Sequence, residues 1–194
     1  MDYLDEMEVY ARARKIPVVL RESREYLEKL CKDTQPKNIL EIGMAIGYSG
    51  ACMLRQCNAN LCCLEISKPN IKLAKENFEK LGLISRVEII EGDCLKTLPT
   101  LLGRKFDLIF LDGPKGTYVD MVDMILPLLE KNGVWVSDNV LFRGMVLDGK
   151  PISEPRFERT VAKMRDFITK ITTNETLNTN IYHIGDGISE VRFK

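Results

Sequence analysis

The sequence predicts an α/β fold in which helices cover both faces of an open, doubly wound and mostly parallel sheet. Short apolar runs alternate with longer amphipathic stretches along almost the whole chain, a pattern typical of strand–helix–strand units. The turn Gly43–Gly47 joins a buried strand to a helix, as in nucleotide-binding domains of this type. Near the C-terminus, Gly185-Asp186-Gly187 predicts a hairpin, so the last strand should run antiparallel to its neighbour.

Two helices are expected before the first strand. The first covers Tyr3–Lys15 and ends before Pro17, because proline disrupts a helix interior. The second covers Arg21–Lys32. Residues 1–36 therefore form an N-terminal helical extension of one domain, residues 1–194, which is long enough to bury a core.

The remaining elements alternate in order along the chain. Each strand is a short run rich in apolar residues, and Gly82 ends one of the helices between them. The strands are expected at Asn38–Ile42, Leu61–Ile66, Val87–Ile90, Phe106–Leu111, Gly133–Ser137, Glu175–Ile184 and Ile188–Phe193. The helices after the first strand are expected at Tyr48–Cys57, Lys68–Leu81, Cys94–Leu102, Thr117–Glu130 and Arg156–Ile171.

Composition restricts the classes of partner and the compartment. Lysine plus arginine and aspartate plus glutamate number 28 each, so no overall charge attracts nucleic acid or an anionic membrane. No segment is long and apolar enough to span a membrane, and the acidic N-terminal residues lack the layout of a signal peptide. The six cysteines include no CxxC pair. We therefore expect reduced thiols and a cytoplasmic protein.

Four carboxylates lie where predicted strands end, namely Glu41, Glu65, Asp93 and Asp112. Beside the glycine turn, Glu41 would repel the pyrophosphate of a dinucleotide, so it favours a cationic ligand such as S-adenosylmethionine (SAM). Glu65 follows Gly43 by 22 residues, the distance at which an acidic residue binds ribose hydroxyls in such folds. Any one of the four could simply end a strand or cap a helix. Together they favour a site for cations and hydroxyls.

Oxygen side chains also follow two strands that could be neighbours. Asp112 ends the fourth strand, and Asp138 and Asn139 follow the fifth. If these strands pair, their ends are about 4.8 Å apart, and the three side chains could hold Mg²⁺ or Mn²⁺. The alternative is an Asp-Asn turn stabilised by its own backbone. With His183 as the single histidine, the chain has almost no ligands for a histidine-based zinc site.

Lys115 lies three residues after Asp112 and just before the helix expected at Thr117. The positive end of a helix dipole, together with a nearby metal, would lower the pKa of this lysine and let it act as a base. The alternative interpretation is an exposed, solvated lysine.

With Glu41-Ile42-Gly43, Glu65, Asp93, Asp112-x-x-Lys115 and Asp138-Asn139 in this order, the chain resembles the metal-dependent O-methyltransferases, the family of catechol and caffeoyl-CoA O-methyltransferases. The resemblance implies a class I methyltransferase fold, which is Rossmann-like, and a homodimer. It implies Mg²⁺ or Mn²⁺ at Asp112, Asp138 and Asn139, and catalysis by Lys115 as the base beside Asp112. It places the SAM site, with Gly43 of the glycine turn, at Val19, Glu41, Ser49, Glu65, Asp93, Cys94 and Asp112.

Within the family, the chain is most similar to a bacterial branch that methylates 5-hydroxyuridine at the wobble position of tRNA. The matching residues are Glu6-Met7-Glu8-x-Tyr10-Ala11, Ile16-Pro17, Ala45-Ile46-Gly47-Tyr48-Ser49, Lys115-Gly116-x-Tyr118, Asp138–Gly144 and Gly185-Asp186-Gly187. Pro114 stands where the catechol enzymes have a tryptophan, which argues against a small catechol pocket.

The implied partner is the tRNA anticodon loop. Local basic patches would have to bind it, and the candidates are Arg12, Arg14, Lys15, Arg143, Arg156 and Arg159. Two alternatives stay open. One is methylation of small catechol-like aromatics, which also present two adjacent oxygens. The other is a non-catalytic SAM-binding module, which would keep Glu65 but need neither Asp138 nor Lys115.

Overall fold

A seven-stranded sheet forms the centre of the computed structural model, which describes residues 2–194. The strands lie in the order β3-β2-β1-β4-β5-β7-β6. The first five are parallel to one another, while β7 is antiparallel to both β5 and β6. The predicted fold class is therefore confirmed. The strands are β1 (Asn38–Ile42), β2 (Asn60–Glu65), β3 (Val87–Glu91), β4 (Phe106–Leu111), β5 (Leu129–Asp138), β6 (Leu177–Tyr182) and β7 (Ile188–Phe193).

Helices cover both faces of the sheet. They are α1 (Tyr3–Ala13), α2 (Arg21–Thr34), α3 (Tyr48–Leu54), α4 (Lys68–Lys80), α5 (Cys94–Thr97), α6 (Tyr118–Ile125) and α7 (Glu158–Thr172). The first four pack on one face and the last three on the other. Because successive strand residues point to opposite faces, adjacent Cys62 and Cys63 belong to different apolar clusters.

The N-terminal extension is part of the first of these layers. Leu4 and Met7 of α1 and Leu27 of α2 are buried in the same cluster as Ala51 of α3. The segment between the two N-terminal helices is thereby held against the body of the fold. Within the described residues, no helix is both long and apolar enough to cross a membrane.

The expected helix Thr117–Glu130 is too long. The α-helix ends at Ile125, and a 3₁₀ turn that contains Pro127 leads directly into β5. Proline has no backbone N–H to donate, so it interrupts the helical hydrogen bonds here. The strand then begins at Leu129, which pairs with Phe106, and β5 is longer than the expected Gly133–Ser137.

The six cysteines are free thiols, as expected from their spacing. Five are buried and Cys94 is partly exposed. They pack as small apolar side chains within the two layers.

Candidate active site

The turn after β1 packs closely against the end of β4. Gly43 has φ +90°, and its amide donates a hydrogen bond to the carbonyl of Leu64, at 2.9 Å. A Cβ atom at Gly43 would lie 2.5 Å from the backbone oxygen of Asp112. Only glycine therefore fits, both in conformation and in space. The ends of three parallel strands meet at this turn.

A cavity of about 530 Å³ opens beside this turn, at the carboxyl ends of the parallel strands. This is where open α/β sheets bind their ligands. Seven of the residues predicted for the site line it: Gly43, Glu65, Asp93, Cys94, Asp112, Lys115 and Asn139. Other lining residues, which the motifs did not single out for the SAM site, include Pro17, Val18, Ala45, Ile66, Asn70 and Pro114.

The carboxylate of Glu65 is fixed at the end of β2 by three backbone amides. One oxygen accepts from Ala45 at 2.9 Å, and the other accepts from Ile66 at 2.9 Å and Ser67 at 2.8 Å. These bonds orient the carboxylate at the cavity wall. A group held in this way could accept hydrogen bonds from ligand hydroxyls with little further loss of conformational freedom.

Asp93 and Cys94 follow β3, which β2 separates from β1 in the sheet, and both line the cavity. One oxygen of Asp93 accepts from the amide of Leu95, at 3.0 Å, and so caps the short helix α5. Burial raises the pKa of the Cys94 thiol, so this side chain lines the cavity as a neutral group.

Glu41 occupies a different place from the one expected. It lies one residue before the end of β1, so its side chain points towards α3 and is completely buried rather than lining the cavity. Ser49 Oγ donates to one of its oxygens, and Cys63 Sγ lies 3.5 Å from the other. Burial raises the pKa of Glu41 to about 7, against the effect of these two hydrogen bonds. Ser49 and Val19 are also buried outside the cavity lining.

The strands β4 and β5 pair, with Leu111 opposite Ser137, so Asp112 lies at the same edge of the sheet as Asp138 and Asn139. Asp112 and Asn139 line the cavity, whereas Asp138 is completely buried outside its lining. Asp138 Oδ1 accepts from Ser23 Oγ at 3.0 Å and from the Asn139 amide at 2.8 Å. Asp138 Oδ2 is buried and has no hydrogen-bond partner within residues 2–194. Burial and the neighbouring Asp112 raise the pKa of Asp138 to about 6.

These three side chains suit a hard divalent cation. Their donors are carboxylate and amide oxygens, which Mg²⁺ and Mn²⁺ prefer. Oδ2 of Asp138 is a buried acceptor without a hydrogen-bond donor among residues 2–194, and a cation would satisfy it. In the described part of the chain, no three His, Cys, Asp or Glu side chains cluster as a metal site. The proposed ligands Asp112, Asp138 and Asn139 do not form such a group, because they comprise two carboxylates and one amide.

Lys115 is not the exposed, solvated lysine of the alternative interpretation, and its pKa is not lowered. Its side chain is only 15% exposed, and its ammonium donates to Asp112 Oδ1 at 2.6 Å and to the Tyr118 hydroxyl at 2.9 Å. Burial favours the neutral amine, but the interactions with Tyr118 and Asp112 outweigh it and raise the pKa of Lys115. The predicted lowering of this pKa is therefore wrong for the protein without a cation. The predicted helix dipole is also weak, because a 3₁₀ turn, Lys115–Thr117, precedes the short α6.

Two functional neighbours were missed by sequence reasoning. Buried Tyr118 links Lys115 to the backbone carbonyls of Leu111 and Asp138, at 3.1 and 3.2 Å. It was part of the quoted Lys115-Gly116-x-Tyr118 motif, but nothing in that spacing identified its contacts. Ser23 bonds Asp138 across 115 positions of sequence, and no local pattern predicts such a contact.

Residues 2–194 match the profile of a protein family described as O-methyltransferase. The chain belongs to the O-methyltransferase family. It is 32% identical over 161 residues to a catechol O-methyltransferase of Niastella koreensis, an alignment that covers 80% of this chain and 71% of that protein. The resemblance inferred from the motifs is therefore confirmed at the level of the family.

Solved structures agree with this assignment. A methyltransferase of Podospora anserina with bound SAH has a TM-score of 0.88 and 31% identity, and the match covers 100% of this chain and 88% of that one. A protein from Staphylococcus aureus, described as a putative caffeoyl-CoA O-methyltransferase, has a TM-score of 0.92 and 27% identity, with 100% and 93% covered. The expected class, a SAM-dependent O-methyltransferase with a class I methyltransferase fold, is confirmed.

Proposed function

We propose that this O-methyltransferase transfers the methyl group of SAM to a hydroxyl that lies beside a second oxygen, with the help of a divalent cation. The observation that carries the proposal is that residues of both expected sites line one cavity at the ends of the strands. One part of its wall has Glu65 and Asp93, and another has Asp112, Lys115 and Asn139. One cavity could therefore hold a donor and an acceptor side by side.

The donor half has the features that SAM requires. Glu65 presents a carboxylate held by three amides, suited to ribose hydroxyls. Asp93 and Cys94 follow the neighbouring strand. Buried Glu41 and Ser49 would act from beneath the turn rather than by lining the cavity. The SAH in the Podospora neighbour supports the same donor here.

The acceptor half would bind Mg²⁺ or Mn²⁺ through Asp112, Asp138 and Asn139. Such a cation would lower the pKa of a hydroxyl that it contacts and would oppose the charged form of Lys115. The protein's own groups set the geometry. Tyr118 accepts a hydrogen bond from Lys115 and bonds the backbone at the ends of β4 and β5, so it keeps the lysine Nζ at the acceptor site.

Lys115 is the proposed proton acceptor. In the protein alone its ammonium is paired with Asp112, so it must first lose a proton to act as a base. Its buried position and its two hydrogen bonds fix Nζ near the acceptor, whereas an exposed lysine would sample many rotamers.

The proposed acceptor is 5-hydroxyuridine in the anticodon loop of tRNA. Support comes from the branch motifs and from Pro114, which lines the cavity where the catechol enzymes have a tryptophan. The acceptor's O5 hydroxyl and adjacent O4 carbonyl offer the two neighbouring oxygens that such a site needs.

Basic groups near the cavity support an RNA partner. The exposed Arg143 and Arg156 both lie over the ring of Phe157, at 5.6 and 4.8 Å, and Arg143 follows the cavity residue Asn139 by four positions. Arginine beside an aromatic ring is a common surface for unstacked bases. Arg14 and Lys15 also lie close in sequence to Pro17, which lines the cavity.

The second candidate acceptor is a small aromatic with two adjacent hydroxyls. The 32% identity to the catechol O-methyltransferase of Niastella koreensis favours it. A catechol would meet the same oxygen ligands and the same lysine. A homodimer and a cytoplasmic location are further proposals that rest on the family resemblance and the reduced thiols.

The acceptor is tested by offering the purified protein two substrates with methyl-labelled SAM: tRNA that contains unmethylated 5-hydroxyuridine, and a panel of small catechols. We expect transfer to the tRNA, identified by nucleoside mass spectrometry. Arg143→Gln with Arg156→Gln should lower the salt slope of tRNA binding by about one for each lost phosphate contact. The control Arg104→Gln, in the turn that leads into the amino end of β4, should leave it unchanged. Efficient catechol methylation without transfer to tRNA would establish the second candidate.

The cation is tested separately. EDTA should abolish transfer, and Mg²⁺ or Mn²⁺ should restore it. Asp138→Ala should lose cation-dependent transfer but keep SAM binding in calorimetry, because Asp138 is proposed to hold the cation and does not line the cavity that would hold SAM. Full activity in EDTA would show that Asp138-Asn139 is only a turn.

A further inference from the structure

The N-terminal helical layer reaches the acceptor site through one buried hydroxyl. Ser23 lies in the first turn of α2 and is completely buried. Its Oγ donates to Asp138 Oδ1 at 3.0 Å. The contact joins residues 115 positions apart, and it connects the N-terminal extension to a proposed cation ligand.

Both donors to Asp138 use the same oxygen. Oδ1 accepts from Ser23 Oγ and from the amide of Asn139, at 2.8 Å. Oδ2 has no partner among residues 2–194, although the whole residue is 0% exposed. A carboxylate held through one oxygen by two donors has a fixed orientation, so its second oxygen points in one direction.

The hydroxyl of Ser23 is itself confined. A Cβ atom at Gly185, in the turn between β6 and β7, would lie 2.7 Å from Ser23 Oγ. The backbone of that turn therefore packs against the side of the hydroxyl. The turn also receives hydrogen bonds from the segment after Asn139, since Val140 N donates to Gly187 O at 3.0 Å. Ser23 is thus packed against a turn that bonds the chain next to the cation ligands.

We propose that Ser23 is a positioning residue for the divalent cation, a proposal that rests on the cation site in the proposed function. Its hydrogen bond holds Oδ1 of Asp138 and would thereby leave Oδ2 available to the cation. Without this hydroxyl, Oδ1 keeps only the bond from the Asn139 amide, so the orientation of the carboxylate is less restricted. The cation should then bind more weakly although every ligand is still present.

The experiment measures Mn²⁺ binding by electron paramagnetic resonance on the full chain at neutral pH, without SAM or acceptor. Ser23→Ala should raise the Kd for Mn²⁺ about ten- to a hundredfold, as is typical when the partner of a metal ligand is removed. Ser23→Thr keeps the hydroxyl and should restore most of the affinity. Ser137→Ala is the matched control, because Ser137 is equally buried and its hydroxyl has no partner in the described structure.

Each outcome decides the proposal. SAM affinity, measured by calorimetry, should stay unchanged in all three variants, which also reports that they are folded. If Ser23→Ala binds Mn²⁺ like the wild type, or if Ser137→Ala weakens Mn²⁺ equally, Ser23 does not position the ligand. If Ser23→Ala does not fold, the test rests on Ser23→Thr, which keeps the hydroxyl. A folded Ser23→Thr variant that binds Mn²⁺ about ten- to a hundredfold more weakly than the wild type would also overturn the proposal. If the wild type itself binds no Mn²⁺, the cation site fails, and the positioning role fails with it.

Discussion

Replacing the buried Glu41 by glutamine should change how the stability of the protein depends on pH. In the folded protein, burial raises the pKa of Glu41 to about 7 from its ordinary value of 4.5. Between these values the folded state holds a proton that the unfolded state has lost, so stability falls as the pH rises through this window. At about 1.4 kcal/mol for each tenfold change in proton affinity, the loss is roughly 3 kcal/mol. Glu41→Gln keeps an acceptor for Ser49 but cannot ionise.

The measurement is urea unfolding of both proteins at about pH 5 and pH 8, in EDTA and without SAM, followed by fluorescence of the single, buried Trp135. Asp138 contributes to the pH dependence of both proteins, so the difference between them isolates Glu41. From about pH 5 to pH 8, the free energy of unfolding of Glu41→Gln should rise relative to that of the wild type by most of the roughly 3 kcal/mol. Glu76→Gln, which removes an exposed carboxylate, should show no such shift. An equal difference at both pH values would refute the argument that burial keeps Glu41 protonated.

Three further predictions concern the cavity. Glu65→Ala should weaken SAM binding about ten- to a hundredfold, because a hydrogen bond to a charged group is lost; unchanged affinity in calorimetry would remove Glu65 from the donor site. Lys115→Ala should lower kcat about 10²- to 10⁴-fold, and less for acceptors with a more acidic hydroxyl; wild-type kcat on every acceptor would make this lysine dispensable. Gly43→Ala should lower the midpoint of thermal unfolding, because its Cβ would lie 2.5 Å from the Asp112 oxygen at φ +90°; an unchanged midpoint would contradict the tight packing of the turn.

The sequence alone determined the succession of strands and helices along the chain and the edge of the sheet at which the cavity forms. Apolar runs and breakers are local signals, and parallel strands joined by helices all end at the same edge. Glu65, Asp93, Asp112 and Asn139 could therefore be assigned to one cavity from their places at the ends of strands, and all four line it. That Asp112 lies beside Asp138 depends, in addition, on the pairing of β4 with β5, which the structure shows.

Tertiary packing decided what each side chain does at that edge. Glu41 is near the strand end in sequence, but the alternation of the strand turns it under α3 and away from the cavity. Lys115 meets Asp112 and Tyr118 at hydrogen-bond distance, so its pKa rises in the protein without a cation, whereas the sequence predicted a fall from the helix dipole together with a metal. Ser23 donates a hydrogen bond to Asp138 because α2 packs on the face of the sheet from which the Asp138 side chain projects. Protonation and orientation depend on neighbours within a few ångströms, and those neighbours come from segments that only the folded chain brings together.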